Sequence, residues 1–240
     1  MIEAIIAIVV TVFVAATVIF VLFYFGLIDS YHPIKKAKAG DVKVACVGDS
    51  ITYGCMVANR NKNNYPTVLN KLLGQNYCVA NFGYTDRTAI KTADRPYTAE
   101  KLYQQSLDFR PNIVVILLGS NDSKKRNWNK DKYVKDYGEI IDSYLKLDSA
   151  PKVYALLPPP MFEKGKKVLY GLRKDVLDDE IYPTALQIAN DKQISYIDLH
   201  EIYKDKKHLF ADGVHPNAKG CQLLAQEVYN AINESTERQQ

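Results

Sequence analysis

The stretch VACVGDSITYG (residues 44–54) is an apolar run that ends at Gly48 and turns polar at once with Asp49 and Ser50. A short, continuously apolar segment of this kind reads as a strand covered on both faces, the type found in parallel sheets. The serine that follows it so closely has two readings. It caps the next helix, or it is a nucleophile held at the edge of a sheet. The choice depends on whether the rest of the chain supplies a base, an orienting carboxylate and donors for an oxyanion.

Working outward, that first run spans Val42–Val47, and similar runs lie at Tyr77–Phe82, Ile113–Leu118, Val153–Leu157 and Ile194–Ile197. Amphipathic helical patterns alternate with them around Tyr65–Leu73, Ala99–Leu107, Lys132–Leu147 and Asp175–Asn190, with a last one at Ala218–Ile232. Five strands alternating with helices predict an α/β fold, a parallel sheet in a three-layer α/β/α sandwich. Ligands then bind outside the carboxyl ends of the strands. Polar and glycine-rich segments fall on that edge: GDS (48–50), NFGYTDRT (81–88), GSND (119–122), PPPMF (158–162) and the loop FADGVHPNAKG (210–220).

A serine hydroxyl needs an adjacent base to become a useful nucleophile. The chain has four histidines: His32, His200, His208 and His215. His32 lies in a polar linker and His208 in the charged stretch YKDKKHLF; His200, after the fifth strand, is the rival to His215. Asp212 stands three residues before His215, with Gly213 between them to allow a tight turn. That spacing can bring the carboxylate to one ring nitrogen and leave the other for Ser50. Candidate oxyanion donors are the backbone N–H groups of Ser50 and Gly83 and the side-chain amide of Asn121. Taken singly, each has a plainer reading. Ser50 and Asp122 suit helix caps, Asn121 suits a turn, and DGVHPN suits a surface loop or half of a metal site. Their common place after the strands is what joins them.

The N-terminus is of another kind. Residues 4–28 carry no charge, and only Thr11, Thr17 and Gly26 depart from the apolar class. Roughly 20 such residues cross a bilayer as a helix, and the long run with no preceding Lys or Arg differs from a cleaved signal peptide. Residues 1–28 are therefore expected to be a single transmembrane anchor with the lipid bilayer as partner, 29–40 a juxtamembrane linker and 41–240 the catalytic domain. Lys35, Lys36 and Lys38 favour a cytoplasmic domain by the positive-inside tendency, which long domains can override. Lys plus Arg number 31 against 27 Asp plus Glu, a formal net charge of +4. Mixed signs along the chain give no nucleic-acid footprint, and the basic run at 122–132 reads as a solvated loop. The four cysteines show neither a CxxC pair nor metal-ligand spacing.

GDS (48–50), Gly83 within NFG, GSND (119–122) and DGVHPN (212–217) occur in the order of the SGNH, or GDSL-type, hydrolases, and the resemblance covers residues 42 to about 233. It implies a flavodoxin-like fold with Ser50 as nucleophile, His215 as base and Asp212 as its partner. It also implies an oxyanion hole from Ser50, Gly83 and Asn121, and no metal or organic cofactor. The chain departs from the family where Tyr84–Thr85–Asp86 stand, since many members carry a second glycine or small residue there. Locally it is most similar to bacterial carbohydrate O-acetylesterases, including sialate-like ones. Asn127 and Trp128 are then candidate sugar contacts, with helix-start packing as the alternative for Trp128. Arg87, Asp94 and Arg95 are rim or solvated-loop residues. The resulting expectation is a serine esterase acting on acetyl or short acyl esters of a glycan or small molecule, with its domain outside the cell. The alternatives are a lysophospholipase or thioesterase at the membrane, and a silent glycan-binding module.

Overall fold

The computed structural model describes residues 2–25 and 34–237. In chain order the helices are α1 (Ile2–Tyr24), α2 (Ser50–Tyr53), α3 (Arg60–Asn63), α4 (Tyr65–Leu73), α5 (Lys101–Asp108), α6 (Lys130–Leu145), α7 (Lys174–Val176), α8 (Tyr182–Asp191), α9 (Leu199–Tyr203) and α10 (Ala218–Glu237). The strands are β1 (Val42–Gly48), β2 (Tyr77–Gly83), β3 (Ile113–Leu117), β4 (Lys152–Leu157) and β5 (Ser195–Asp198). All pair in parallel in the order β2-β1-β3-β4-β5, the flavodoxin-like order whose switch point lies between β1 and β3.

Alternation along β1 explains the layers. Ala45 and Val47 join Phe82, Val114 and Ile116 in one core, closed by Tyr133, Tyr137 and Ile140 of α6 and by Ile188 of α8. Val44 and Cys46 join Val115, Leu117 and Tyr154 in the other, closed by Leu69 of α4 and by Leu224 and Val228 of α10. Both faces of the central strands are thus covered, which is why their sequences are apolar throughout. β5 is an edge strand, and its Ser195 and Tyr196 are exposed. In the register, Gly48 pairs with both Gly83 and Leu117, so three strand ends come level beside the switch point.

The helical pattern read as one unit over 175–190 is broken in the structure. α7 passes into a π-helical turn, Leu177–Ile181, before α8, and the Tyr182 N–H reaches back to the Leu177 carbonyl. Pro183 stands in the first turn of α8; it has no N–H to give to the preceding turn, so the ladder opens there.

The expected transmembrane anchor is not supported. α1 forms over Ile2–Tyr24. Among the described residues no helix is long and apolar enough to cross a membrane. Residues 26–28 of the expected span, and 29–33 of the expected linker, lie outside the described residues.

Candidate active site

The first question about Ser50 has a structural answer. Asp49, not Ser50, is the N-cap of α2, its Oδ1 accepting the Ile51 N–H at 3.0 Å. Ser50 is the first residue of the helix, where N–H groups have no intrahelical acceptor. Its hydroxyl stands 2.9 Å from His215 Nε2. Gly54, left-handed at φ +90°, ends the helix after one turn.

His215 comes from the loop before α10. Gly213 takes φ +90°, and a Cβ there would lie 2.1 Å from the Phe162 carbonyl oxygen, so only glycine makes this turn. The turn folds Asp212 back on its own backbone. Its Oδ1 accepts the N–H groups of Val214 (2.9 Å) and His215 (2.8 Å), while Oδ2 accepts His215 Nδ1–H at 2.7 Å. Burial would raise the Asp212 carboxyl. The hydrogen bonds and charge of His215, helped by Tyr170, overcome it and hold the group well below the usual carboxylate range.

Asn121 lies in the turn after β3. Its Nδ2 donates to the Arg87 carbonyl at 3.2 Å and faces Asp49 Oδ2 at 3.4 Å. Beside it, Asp122 accepts the N–H groups of Ala89 (3.0 Å) and Ile90 (2.9 Å), tying this turn to the loop after β2. Burial pushes Asp122 up to about 7 against those two bonds, and Asp49 up to about 6 against the Ile51 N–H. Between these loops lies a cavity of about 210 Å³ whose lining includes Ser50, Asp86, Asn121, Tyr170, Val214 and His215. A hydroxyl, an imidazole and a carboxylate in line, with an amide facing the same cavity, suit acyl transfer.

The profile of the GDSL-like Lipase/Acylhydrolase family matches residues 46–223. The chain belongs to this family. An acetylxylan esterase of Xylanibacter ruminicola is 32% identical over 221 residues, covering 83% of this chain and 45% of that protein. A GDSL esterase/lipase of Arabidopsis thaliana is 21% identical over 165 residues, 62% of this chain and 51% of that one. The chain spans about half the length of these curated relatives. Among solved structures, a carbohydrate acetylesterase from Sinorhizobium meliloti superposes with a TM-score of 0.66 at 18% identity, covering 80% of this chain and 98% of that one. The M. smegmatis aryl esterase superposes at 0.63 with 19% identity, covering 80% and 98%. At these identities the superpositions speak for the fold. The curated relative is named for xylan, not for sialate.

Three of the candidate site residues are placed otherwise than expected. The Gly83 N–H donates to Asn81 Oδ1 at 2.8 Å, and Gly83 is not among the residues lining the cavity. A Cβ on Gly83 would lie 2.2 Å from Tyr53 N and 2.5 Å from the Thr52 carbonyl carbon; the glycine lets β2 approach α2. Three residues on, Asp86 takes the left-handed φ of 63° and lines the cavity. The signal in the sequence was the departure at 84–86, where other family members carry a small residue. Asn127 is buried, and its Nδ2 donates to Asp94 Oδ1 (2.7 Å) and the Asn121 carbonyl (3.0 Å), so it braces the Asn121 turn instead of facing a sugar. Trp128 packs on Tyr133 and donates its indole N–H to Glu180 at 2.7 Å; it does not line the cavity, and the helix-start reading holds.

Arg87 is buried, paired with Glu100 at 2.8 Å and stacked over Tyr84. Arg95 reaches Asp86 at 3.4 Å, and Asp94 pairs with Arg126. The rival base His200 bonds Asp178 at 3.1 Å and stacks on Tyr182, outside the cavity that holds Ser50. Sequence reasoning passed over Tyr170, whose hydroxyl donates to Asp212 Oδ2 at 2.7 Å. It sits in no motif, and nothing in KVLYGL marks it.

Proposed function

We propose that the chain is a serine esterase that removes acetyl, or another short acyl group, from a carbohydrate through an acyl-enzyme. The observation that carries this reading is the unbroken line from Ser50 Oγ through His215 to Asp212, with steps of 2.9 and 2.7 Å, opening into a small cavity. Ser50 Oγ attacks the ester carbonyl as His215 Nε2 takes its proton. Asp212 holds the ring by Nδ1 and stabilises the imidazolium that forms. The negative oxygen of the tetrahedral intermediate lies among the N–H groups of Ser50 and Asp86 and the Asn121 amide. Collapse breaks the ester C–O bond, and His215 gives its proton to the departing alcohol. Water then enters, loses a proton to His215 and attacks the acyl-serine. Acid is released and the proton returns to Ser50 Oγ.

The carbohydrate assignment draws on the xylan- and carbohydrate-acetylesterase relatives. The acyl size draws on the cavity, whose 210 Å³ falls below the roughly 300–1,000 Å³ of sites for drug-sized ligands. The test is acetate release from acetylated xylan and turnover of p-nitrophenyl esters, with Ser50→Ala as control. An optimum at two carbons and a dead variant are expected. An optimum at eight or more carbons favours the lysophospholipase or thioesterase reading. Absence of fluorophosphonate labelling at Ser50 favours a silent glycan-binding module.

For its place in the cell, we infer attachment to the membrane through α1 with the catalytic domain outside, where a glycan polymer is met. The support is the uncharged sequence of residues 4–28 and the exposure of Val12, Phe13 and Phe20. Protease treatment of intact cells tests it: loss of the domain supports the outward placement, and protection overturns it.

A further inference from the structure

We propose that Tyr170 is a positioning residue that sets the basicity of His215 through Asp212, extending the Ser–His–Asp line to a fourth hydrogen-bonded member. The inference rests on the esterase reading above and assigns a residue within it.

The geometry is specific. Asp212 Oδ1 is filled by two backbone N–H groups, so Oδ2 is the oxygen that faces His215. The Tyr170 hydroxyl donates to that same Oδ2 at 2.7 Å, the distance at which His215 Nδ1–H also reaches it. The Tyr170 ring stands edge-on to the imidazole with centroids 5.4 Å apart, so one side chain contacts both partners and lines the cavity. Its backbone is left-handed at φ +65° and is followed by Gly171 at φ +70°, a conformation that a bulky residue rarely adopts. Tyr170 is half-exposed, yet its hydroxyl turns inward to a buried carboxylate.

The segment that presents it is tied down at both ends. The Phe162 N–H bonds the Gly213 carbonyl at 2.8 Å, and Arg173 bonds Ser123 through its backbone N–H (3.2 Å) and Nε (2.8 Å). One tie reaches the turn between Asp212 and His215, and the other reaches the turn that carries Asn121. The segment therefore spans the two loops whose spacing the site depends on.

The chemical consequence follows from charge. A carboxylate oxygen that accepts a second strong donor carries less free charge toward its first partner. With Tyr170 in place, Asp212 supports the imidazolium less, and His215 stays neutral and able to accept the Ser50 proton to a lower pH. Without that hydroxyl the imidazolium is better stabilised and the ring titrates at higher pH. The other ionisable groups near the ring are Asp49 at the end of β1, Asp86 with Lys124 against it, and Cys55 across the cavity. All of these are unchanged by Tyr170→Phe, so the difference between the two proteins isolates the hydroxyl.

The test is Tyr170→Phe, which keeps the ring. The acid limb of kcat/KM against pH for p-nitrophenyl acetate is expected to move up by about half to one unit, lowering the rate well below that limb about three- to tenfold. NMR titration of the His215 ring should move in the same direction by a similar amount. Tyr170→Leu removes the ring as well and should shift the limb the same way. Superimposable pH profiles and His215 titrations for wild type and Tyr170→Phe would overturn the proposal. The titration needs no substrate. An inactive wild type would therefore sink the esterase reading, while the His215 shift still decides the role of Tyr170.

Discussion

Gly83→Ala tests whether the glycine after β2 acts through packing or through its N–H. The strand backbone at Gly83 accepts an L side chain, so torsional strain is not the issue. The new Cβ would stand 2.2 Å from Tyr53 N, 2.5 Å from the Thr52 carbonyl carbon and 2.8 Å from Thr52 Cβ. With favourable contacts near ~3.5 Å, α2 and β2 must part by about 1 Å. They cannot part freely, because Asn81 Nδ2 holds the Thr52 carbonyl at 2.8 Å and Gly83 is paired with Gly48. The helix carries Ser50 at its first residue, so its displacement lengthens the 2.9 Å step to His215 Nε2. A misplacement of about 1 Å can cost on the order of 10²-fold in rate, and overpacking typically costs ~1–3 kcal/mol of stability. The assay is kcat/KM on p-nitrophenyl acetate, the rate of fluorophosphonate labelling at Ser50, and the thermal midpoint of the same protein. All three should fall together. An alanine variant with wild-type activity and stability would refute the packing argument, since alanine retains the N–H that an oxyanion donor needs.

Asp212→Asn should lower kcat roughly 10³–10⁴-fold by disturbing the tautomer of His215. It should also flatten the acid side of the stability curve. The folded carboxyl lies below its ordinary value of 3.8, so its stabilisation is present above about pH 4 and lost as pH falls; thermal melts from pH 5 to 2 check both proteins. Asp122 has the opposite sign. Its carboxyl is raised from 3.8 to about 7, so its contribution is full below about pH 4 and declines as pH rises through 7. Asp122→Asn should remove that decline, as read by melts between pH 4 and 8, although the loss of an acceptor for Ala89 or Ile90 lowers the midpoint throughout. Trp128→Phe should lower stability by about 1 kcal/mol through the lost bond to Glu180 and leave KM for acetylated xylan as in the wild type. A raised KM would restore Trp128 as a sugar contact.

The sequence by itself determined the strand-and-helix alternation, because strands covered on both faces must be apolar along their whole length, and Val44–Val47 and Ile113–Leu117 are. It also brought Asp212 and His215 together, since a three-residue turn through glycine is a local event. It left open whether Ser50 was a cap. Only the folded backbone shows the capping done by Asp49, which frees the Ser50 hydroxyl for a partner 165 positions away. The family pattern directed attention to Gly83, but it is Asp86 that lines the cavity. Motif order cannot show that the Gly83 N–H is bonded to Asn81. Asn127 and Trp128 likewise looked outward in the sequence and are braced inward by Asp94, Asn121 and Glu180. Tyr170, 42 residues from Asp212, was invisible for the same reason. Local periodicity and turn chemistry are written along the chain. Which side chains meet at the sheet edge is decided by strand register and by loops packed against one another, and neither exists until the whole domain has closed.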